Sequence, residues 1–428
     1  MFMPSTFTGW RAAVTAALLT AVSLLAMPVR AAEPLTLGAA QQLALQNDPS
    51  IRQLQSEVGA VRDSAASAGQ WPDPKLSVGL ANLPTNSYAV GRDSMTMQVV
   101  GIEQDFPAGD VRALSTTRGD QLAGAQRALV KDRQLQVIRD VRRAWFDLYY
   151  ADHAVPLVQQ SEQVFEQLLD IAKLRYSNGQ GAEQDLSRAE LEMGMLQERE
   201  LELHADIDAA RAALAKFVGS DAAQDPLVDT LPELPQPPDR EELLKRLIQH
   251  PRIVAANTQI AAADTATDIA RQAYKPAWGL NLSYERRPGA DAAGVPYTNM
   301  VTAMVTVSVP LFTGKRQDRS VSAASAAASA SEDARDDELR DLKQMLDTGW
   351  AHWEHLSHIR DLYAKAILPS ASLNTQATLS AYRNGSADFD ELARAQITDL
   401  DSHIQQLKAN IGYLEMQADL LYLAGEQP

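Results

Sequence analysis

The chain has 428 residues, of which 45% are hydrophobic and 22% charged, a balance typical of folded rather than disordered proteins. Its formal net charge of −16 disfavours a nucleic-acid partner, because the phosphates would repel it. The absence of cysteine excludes disulfides, thiolate metal sites and cysteine nucleophiles.

The first 31 residues predict a secretory signal peptide, residues 1–31. Arg11 precedes an apolar run of 16 residues, Ala12–Met27, and Val29 and Ala31 place small residues at the expected cleavage site. The run is short for a helix that spans a bilayer. An exported chain without such a helix is either soluble in the periplasm or inserted as β-strands.

The chain carries landmarks that recur in the same order 202 to 206 residues later, which indicates an internal duplication. The first repeat is predicted over 32–218 and the second over 240–428. Between them, residues 219–239 contain five prolines and predict an extended linker. The paired landmarks are Pro49 with Pro251, Pro72 with Pro276, Pro107 with Pro310, and Tyr176 with Tyr382.

Each repeat contains two segments of alternating apolar and small or polar residues, as in strands with two unlike faces. The segments are 76–81, 95–99, 280–285 and 301–309. Each predicts a strand of about ten residues, enough for a tilted strand to cross a membrane. Four strands cannot close a barrel, and an open edge in lipid leaves backbone groups unpaired. Several chains must therefore pool their strands, two chains giving eight or three giving twelve. Aromatic residues flank the strands on the side of the helices, as in a girdle: Trp71, Phe106, Trp278 and Phe312.

Two long segments, 110–175 and 315–383, predict helices about 100 Å long, each bent at a proline, Pro156 or Pro369. The alanine- and serine-rich stretch 321–330 is included as helix. Each segment is followed by a returning helix whose apolar residues keep the 3-4 spacing of coiled coils. Two apolar seams on the outgoing helix indicate partners on both sides, as in a closed ring of helices. The alternative is a soluble four-helix bundle.

The two predicted helix reversals carry a family resemblance. Tyr-Ser-Asn-Gly at 176–179 and Tyr-Arg-Asn-Gly at 382–385, together with Pro-Leu-Phe-Thr-Gly-Lys-Arg at 310–316, resemble the TolC-like outer-membrane efflux protein family. The segments 71–74 and 101–107 further resemble its heavy-metal branch, the outer components of cobalt-zinc-cadmium and copper-silver exporters. The resemblance covers essentially all of the chain after the predicted signal peptide.

This resemblance implies a fold that is mainly α with transmembrane β: a homotrimer whose twelve strands form an outer-membrane β-barrel and whose twelve helices form a periplasmic α-barrel. It implies a passive exit duct of a tripartite efflux pump, located in the outer membrane and extending into the periplasm. The implied partners are a periplasmic adaptor (membrane fusion) protein, an inner-membrane RND transporter and outer-membrane lipid. The resemblance leaves open whether the exported substrate is a metal cation, a drug or a polypeptide.

The resemblance also implies roles for residues at the two reversals. The turns would form the periplasmic tip that docks the adaptor, and they would equally serve as plain helix caps. In relatives, acidic residues six and nine positions after the second turn glycine help to close the duct. Here these positions are Glu391 and Arg394, with Asp185 and Arg188 in the first repeat. Inter-chain Asp185–Arg394 or Glu391–Arg188 pairs could replace an acidic ring, and solvated charges are the alternative. The predicted docking residues are Tyr176, Asn178, Gly179, Tyr382, Asn384 and Gly385.

No catalytic sequence pattern is present, so the chain is predicted not to be an enzyme and to need no cofactor. His352, His355 and His358 recur every third residue of a predicted helix, which leaves the outer two 240° apart, and we interpret them as surface or packed histidines. Four methionines in or beside the predicted strands are interpreted as packed or lipid-facing. Two other functions fit the same patterns: the exit duct of a type I protein secretion system, and a periplasmic coiled-coil scaffold without a pore. The four methionines are Met95, Met97, Met300 and Met304.

Overall fold

A computed structural model of the chain describes residues 34–179 and 181–425. The predicted signal peptide, residues 1–31, lies outside the described residues. In chain order the helices are α1 Leu37–Asn47, α2 Pro49–Ala68, α3 Val111–Ser177, α4 Glu183–Val218, α5 Arg240–Arg246, α6 Pro251–Gln272, α7 Gln317–Leu362, α8 Leu368–Arg383 and α9 Phe389–Ala424. The strands are β1 Lys75–Ala81, β2 Met97–Phe106, β3 Ala277–Arg286 and β4 Met300–Ser308.

The longest helix confirms the predicted outgoing segment of the first repeat. With 67 residues, α3 extends over about 100 Å and continues through Pro156. The second repeat differs, because α7 ends at Leu362 and a π-helical segment, Tyr363–Ile367, joins it to α8. Pro369 lies in the first turn of α8. Its ring crowds the carbonyl four residues earlier, which lies inside the widened π-helical turn.

The four strands form one antiparallel sheet in the order β1-β2-β3-β4. The second strand begins at Met97, two residues later than predicted, and continues to Phe106, whereas β1 has only seven residues. The register is continuous across all three strand pairs, so alternate rows of residues lie on opposite faces. One such row is Lys75, Glu103, Asn281 and Met304, and the adjacent row on the other face is Leu76, Ile102, Leu282 and Ala303.

The helices pack around α3. Towards the sheet α3 lies between α2 and α6, and towards the helical tip it lies between α4 and α9. The partners on both sides that the two seams of α3 indicated are therefore present. The 3-4 spacing in α4 and α9 also predicted their packing faces, because residues such as Leu196, Leu203, Leu400 and Ile404 are buried. Within the described residues, no helix is both long and apolar enough to cross a membrane.

The segment 219–239 wraps around the middle of the helices with one short 3-10 turn, Ala222–Gln224, and no longer helix or strand. Three of its carbonyl groups accept hydrogen bonds from side chains of α3 and α9. The Tyr149 hydroxyl donates to Asp229 O at 2.8 Å, and Gln417 Nε2 donates to Leu234 O at 3.1 Å and to Pro235 O at 2.8 Å. These bonds satisfy backbone groups that an extended, proline-rich segment cannot pair with itself.

Candidate functional site

The two helix reversals have nearly the same backbone geometry. α3 ends at Ser177 and α8 at Arg383, and the glycine two residues later has a φ of +71° in Gly179 and +74° in Gly385. In both turns the glycine N–H donates to the tyrosine carbonyl three residues before it, at 3.0 Å and 3.1 Å. A positive φ is strained for any residue with a β-carbon, which explains why both repeats have glycine there.

The two tyrosines of these turns have different surroundings. The Tyr176 side chain is 45% exposed, whereas Tyr382 is only 4% exposed. The Tyr382 ring contacts Phe389 edge-on at 6.1 Å between centroids, and the Arg175 guanidinium lies 5.0 Å from its centre. Tyr382 therefore packs between the two hairpins, and Tyr176 presents its ring at the surface.

Charged residues in the first two turns of α4 and α9 meet at Asp390. Arg188 of α4 approaches Asp390 Oδ1 at 3.7 Å and also pairs with Glu192 Oε1 at 2.7 Å in its own helix. Arg394 forms a second ion pair with Asp390 from the next turn of α9. Asp390 thus links the two repeats within one chain. Sequence reasoning missed it, although its spacing of four residues from Arg394 is a recognisable pairing signal.

The other two predicted gate residues lie beside this cluster. Glu391 lines a cavity of about 510 Å³ between α8 and α9, together with Arg394. The Glu391 amide donates to the Asp388 carboxylate, which caps α9. Asp185 lies in the first turn of α4, three residues before Arg188. The predicted inter-chain pairs of Asp185 and Glu391 stay predictions.

The sheet has one polar and one apolar face. The face of Glu103 also contains Asp105, Ser283, Glu285 and Thr302. The opposite face is continuously apolar over its centre, and its side chains are exposed: Leu76, Val78, Val100, Ile102, Leu280, Leu282, Val301 and Val305. A sheet with this asymmetry separates an apolar medium from an aqueous one.

A model of the outer membrane efflux protein family matches residues 40–220 and 244–426. The chain belongs to this family. As a family member it is located in the outer membrane, and its long helices extend into the periplasm.

Individual relatives are more distant. Protein CyaE of Bordetella pertussis (strain Tohama I) is 24% identical over 310 residues, which cover 69% of this chain and 64% of CyaE. The chain thus matches less than two thirds of the length of that relative. The outer-membrane channel OprN shares the fold with a TM-score of 0.76 and 16% identity, over 91% of this chain and 90% of OprN. CusC gives a TM-score of 0.76 and 16% identity over 91% and 92%.

A group of charged residues lies between α3 and α9, about midway along α3. Burial and the neighbouring Asp147 raise the pKa of Glu415 to about 7, from an ordinary value of 4.5. Burial likewise raises the pKa of Asp419, which pairs with Arg143 at 2.6 Å. The Glu415 carboxyl therefore holds a proton below about pH 7.

The residues considered for metal binding do not converge. His352, His355 and His358 are all exposed along α7, and across 34–179 and 181–425 no group of His, Asp and Glu has the arrangement of a metal site. The strand methionines differ from the expectation that they pack or face lipid. The register places Met97, Met300 and Met304 on the polar face, while Met95 lies in the turn before β2.

Proposed function

We propose that three copies of this chain form the passive exit duct of a tripartite efflux pump, docked to a periplasmic adaptor and through it to an inner-membrane RND transporter. The observation that carries the proposal is the four-stranded sheet. Within the described residues β1 and β4 each pair on one side only, and the apolar face is exposed. Unpaired backbone groups in lipid cost several kcal/mol each, so the edge strands must pair with those of other copies.

The helices support the same assembly. At the level near the sheet each chain contributes α2, α3, α6 and α7, and at the level near the tip it contributes α3, α4, α8 and α9. Three chains then supply twelve helices at each level, matched to twelve strands. A ring of this size encloses a water-filled passage and needs no catalytic group, so we further propose that the protein is not an enzyme.

The charge cluster at Asp390 is proposed to hold the periplasmic mouth closed. Arg188 and Asp390 belong to different repeats, so an outward movement of the α8–α9 hairpin relative to the α3–α4 hairpin separates them. Exposed ion pairs contribute only about 0.2–1 kcal/mol each. A weak lock of this kind can be released by the binding energy of an adaptor.

The exposed surface of the turns is proposed as the adaptor contact. Tyr176 offers an exposed ring at the first turn, and Asn178 and Gly179 lie beside it. In the second turn Asn384 and Gly385 are exposed, whereas Tyr382 supports the turn from inside. The similarity to CusC equals the similarity to OprN in TM-score and in sequence identity, so the comparison does not identify the exported solute.

Two measurements on the purified full-length protein test the duct. Native mass spectrometry in detergent is expected to give three times the mass of the mature chain, and planar bilayers are expected to show single-channel conductance. A stable monomer without conductance, recovered from the soluble periplasm, would support the scaffold function instead.

The partner system needs a separate test, because a secretion duct has the same fold. Deletion of the gene together with that of a neighbouring RND transporter is expected to give no greater sensitivity to exported solutes than either deletion alone. Loss of a secreted polypeptide with unchanged solute sensitivity would favour the type I secretion duct.

A further inference from the structure

The outer rim of the sheet carries two arginines that the duct does not require. Arg286 is the last residue of β3, and Arg92 lies in the loop that joins β1 to β2. Both are exposed, and neither has a carboxylate partner among the described ion pairs. The loop of Arg92 contacts the residue that follows Arg286, because Ser94 O accepts a hydrogen bond from the Arg287 side chain. Arginines without a carboxylate partner are available for an external anion.

Arg286 belongs to the apolar row of β3. The exposed residues of this strand alternate as Trp278, Leu280, Leu282, Tyr284 and Arg286, all on one face. The Arg286 guanidinium contacts Gln98 Oε1 at 3.5 Å, and Gln98 is its cross-strand neighbour on the same face. The row thus ends in a polar pair at the strand ends that lie farthest from the helices.

The length of this row is close to the thickness of the apolar band of a membrane. Trp278 and Arg286 are eight residues apart, about 26 Å along the strand. A tilt of about 40° reduces this to about 20 Å across the membrane, close to the roughly 25 Å apolar band of such proteins. With Trp278 at the periplasmic border, Arg286 lies at the level of the outer headgroups.

Neighbouring contacts fix the rim in place. The Arg287 side chain donates from Nε to Ser94 O at 2.8 Å, which ties the second loop to the first. Asn299 Nδ2 donates to the Tyr284 hydroxyl at 2.6 Å, next to Arg286 on the lipid-facing row. Gly91 and Gly289 are so close that a β-carbon at Gly289 would lie 2.3 Å from Gly91 O. The acidic Glu285 points to the opposite, polar face, where it accepts a hydrogen bond from Ser283.

We propose that Arg286 and Arg92 form a site for the phosphate groups of the glycolipid in the outer leaflet, lipid A. Lipid A is an acylated disaccharide with two phosphates, so its chains fit the apolar face and its phosphates fit the guanidinium groups above it. Arginine binds phosphate through two parallel N–H donors, which a single lysine point charge cannot reproduce. The site orients the outer end of the sheet in the membrane and has no part in conduction.

The test uses full-length trimer in detergent and three lipid probes: diphosphoryl lipid A, dephosphorylated lipid A, and inorganic phosphate as competitor. The variants are Arg286→Gln, Arg92→Gln and their combination, with Arg286→Lys as the conservative change. Arg319→Gln is the matched control, since Arg319 is an exposed arginine of α7, outside the sheet. Binding is measured by native mass spectrometry over a lipid titration.

The combined variant is expected to bind diphosphoryl lipid A at least tenfold more weakly than wild type, with no change for dephosphorylated lipid A. Arg286→Lys should recover part of the loss, and Arg319→Gln should bind as wild type. Unchanged conductance of the combined variant would show that the duct is intact and separates this site from the proposed function.

Three results would overturn the proposal. The first is equal binding of diphosphoryl lipid A by wild type and the combined variant. The second is an equal loss in Arg319→Gln, which would indicate attraction by net charge alone. The third is complete displacement of lipid A by millimolar inorganic phosphate, which would indicate a site for the free ion.

Discussion

At the scale of single residues, Asp390 is where the charges of the two repeats meet. It lies in the first turn of α9, where a carboxylate is favoured by the helix dipole, and it pairs with Arg188 and Arg394. Because Arg188 belongs to the other hairpin, the contact stabilises one arrangement of the two hairpins. Its removal should change the arrangement and leave the fold intact.

Replacement of this residue, Asp390→Ala, is expected to raise the open fraction of the channel about 1.4- to 5-fold per subunit, the factor that corresponds to about 0.2–1 kcal/mol. Single-channel recordings in planar bilayers measure this open fraction. Asp268→Ala removes an ion pair of similar exposure, with Arg271 of the same helix α6 near the sheet, and should leave the open fraction unchanged. Equal open fractions for Asp390→Ala and wild type would exclude Asp390 as a lock of the periplasmic mouth.

Glu415 provides a pH-dependent contribution to stability. Its pKa is raised in the folded state, to about 7, so the folded state holds the proton more tightly than the unfolded one. Stability is therefore lost as the pH rises from about 4.5 to about 7, and the full penalty applies above that. Glu415→Gln should be about 1–3 kcal/mol more stable than wild type at pH 8 and equal to it at pH 4.

Thermal unfolding of the detergent-solubilised protein at both pH values checks this. Glu354→Gln, at an exposed position of α7, is the control and should follow wild type at both. A Glu415→Gln variant with the same pH profile as wild type would show that Glu415 ionises normally.

At the scale of elements, the two repeats share their turns and differ in the helices that lead to them. The first outgoing helix is one continuous α-helix, whereas the second is interrupted by the π-helical segment Tyr363–Ile367. This segment lies 15 residues before Tyr382, and none of its residues is buried within the chain. Weak packing around an irregular turn makes the α8–α9 hairpin the more deformable of the two.

The turn glycines should be costly to replace. Gly385→Ala forces a β-carbon into a φ of +74° and is expected to lose about 1 kcal/mol of stability, and Gly179→Ala the same. Gly38→Ala is the control, because Gly38 is helical and its added β-carbon meets no atom within 4 Å. Thermal unfolding measures the change, and a Gly385→Ala variant as stable as wild type would contradict the strained turn.

At the scale of the whole molecule, the two faces of the sheet set the orientation of the chain in the membrane. Leu282 and Asn281 are adjacent in β3 and lie on opposite faces. Leu282 is half-exposed near the centre of the apolar row, where an arginine facing lipid costs about 2–4 kcal/mol. Asn281 lies on the polar face, beside a cavity with room for a longer side chain.

Leu282→Arg is therefore expected to reduce the amount of assembled protein in the outer membrane, whereas Asn281→Arg should insert as wild type. Gel mobility of unheated membrane fractions measures the detergent-resistant trimer. Equal insertion of both variants, or loss of Asn281→Arg alone, would reverse the assignment of the faces.

Local patterns were sufficient for most of the architecture. The repeat landmarks, the alternation in the strands and the 3-4 spacing of α4 and α9 predicted the four strands and the long helices close to their observed bounds. They succeed because each depends on a short-range rule, either the pleat of a strand or the pitch of a helix. The family resemblance, carried by Tyr-x-x-Gly in both turns, is confirmed by the family match over both repeats.

Other features depend on contacts between distant segments, which no local pattern encodes. The pairing of Arg188 with Asp390, the burial of Tyr382 beside an exposed Tyr176, and the position of the methionines on the polar face all required the packing of one hairpin against another or the strand register. The sequence by itself determined which residues form helices and strands and where the chain reverses. Only the tertiary structure decided which charges meet and which face each side chain occupies, because one residue of register or one turn of helix changes both.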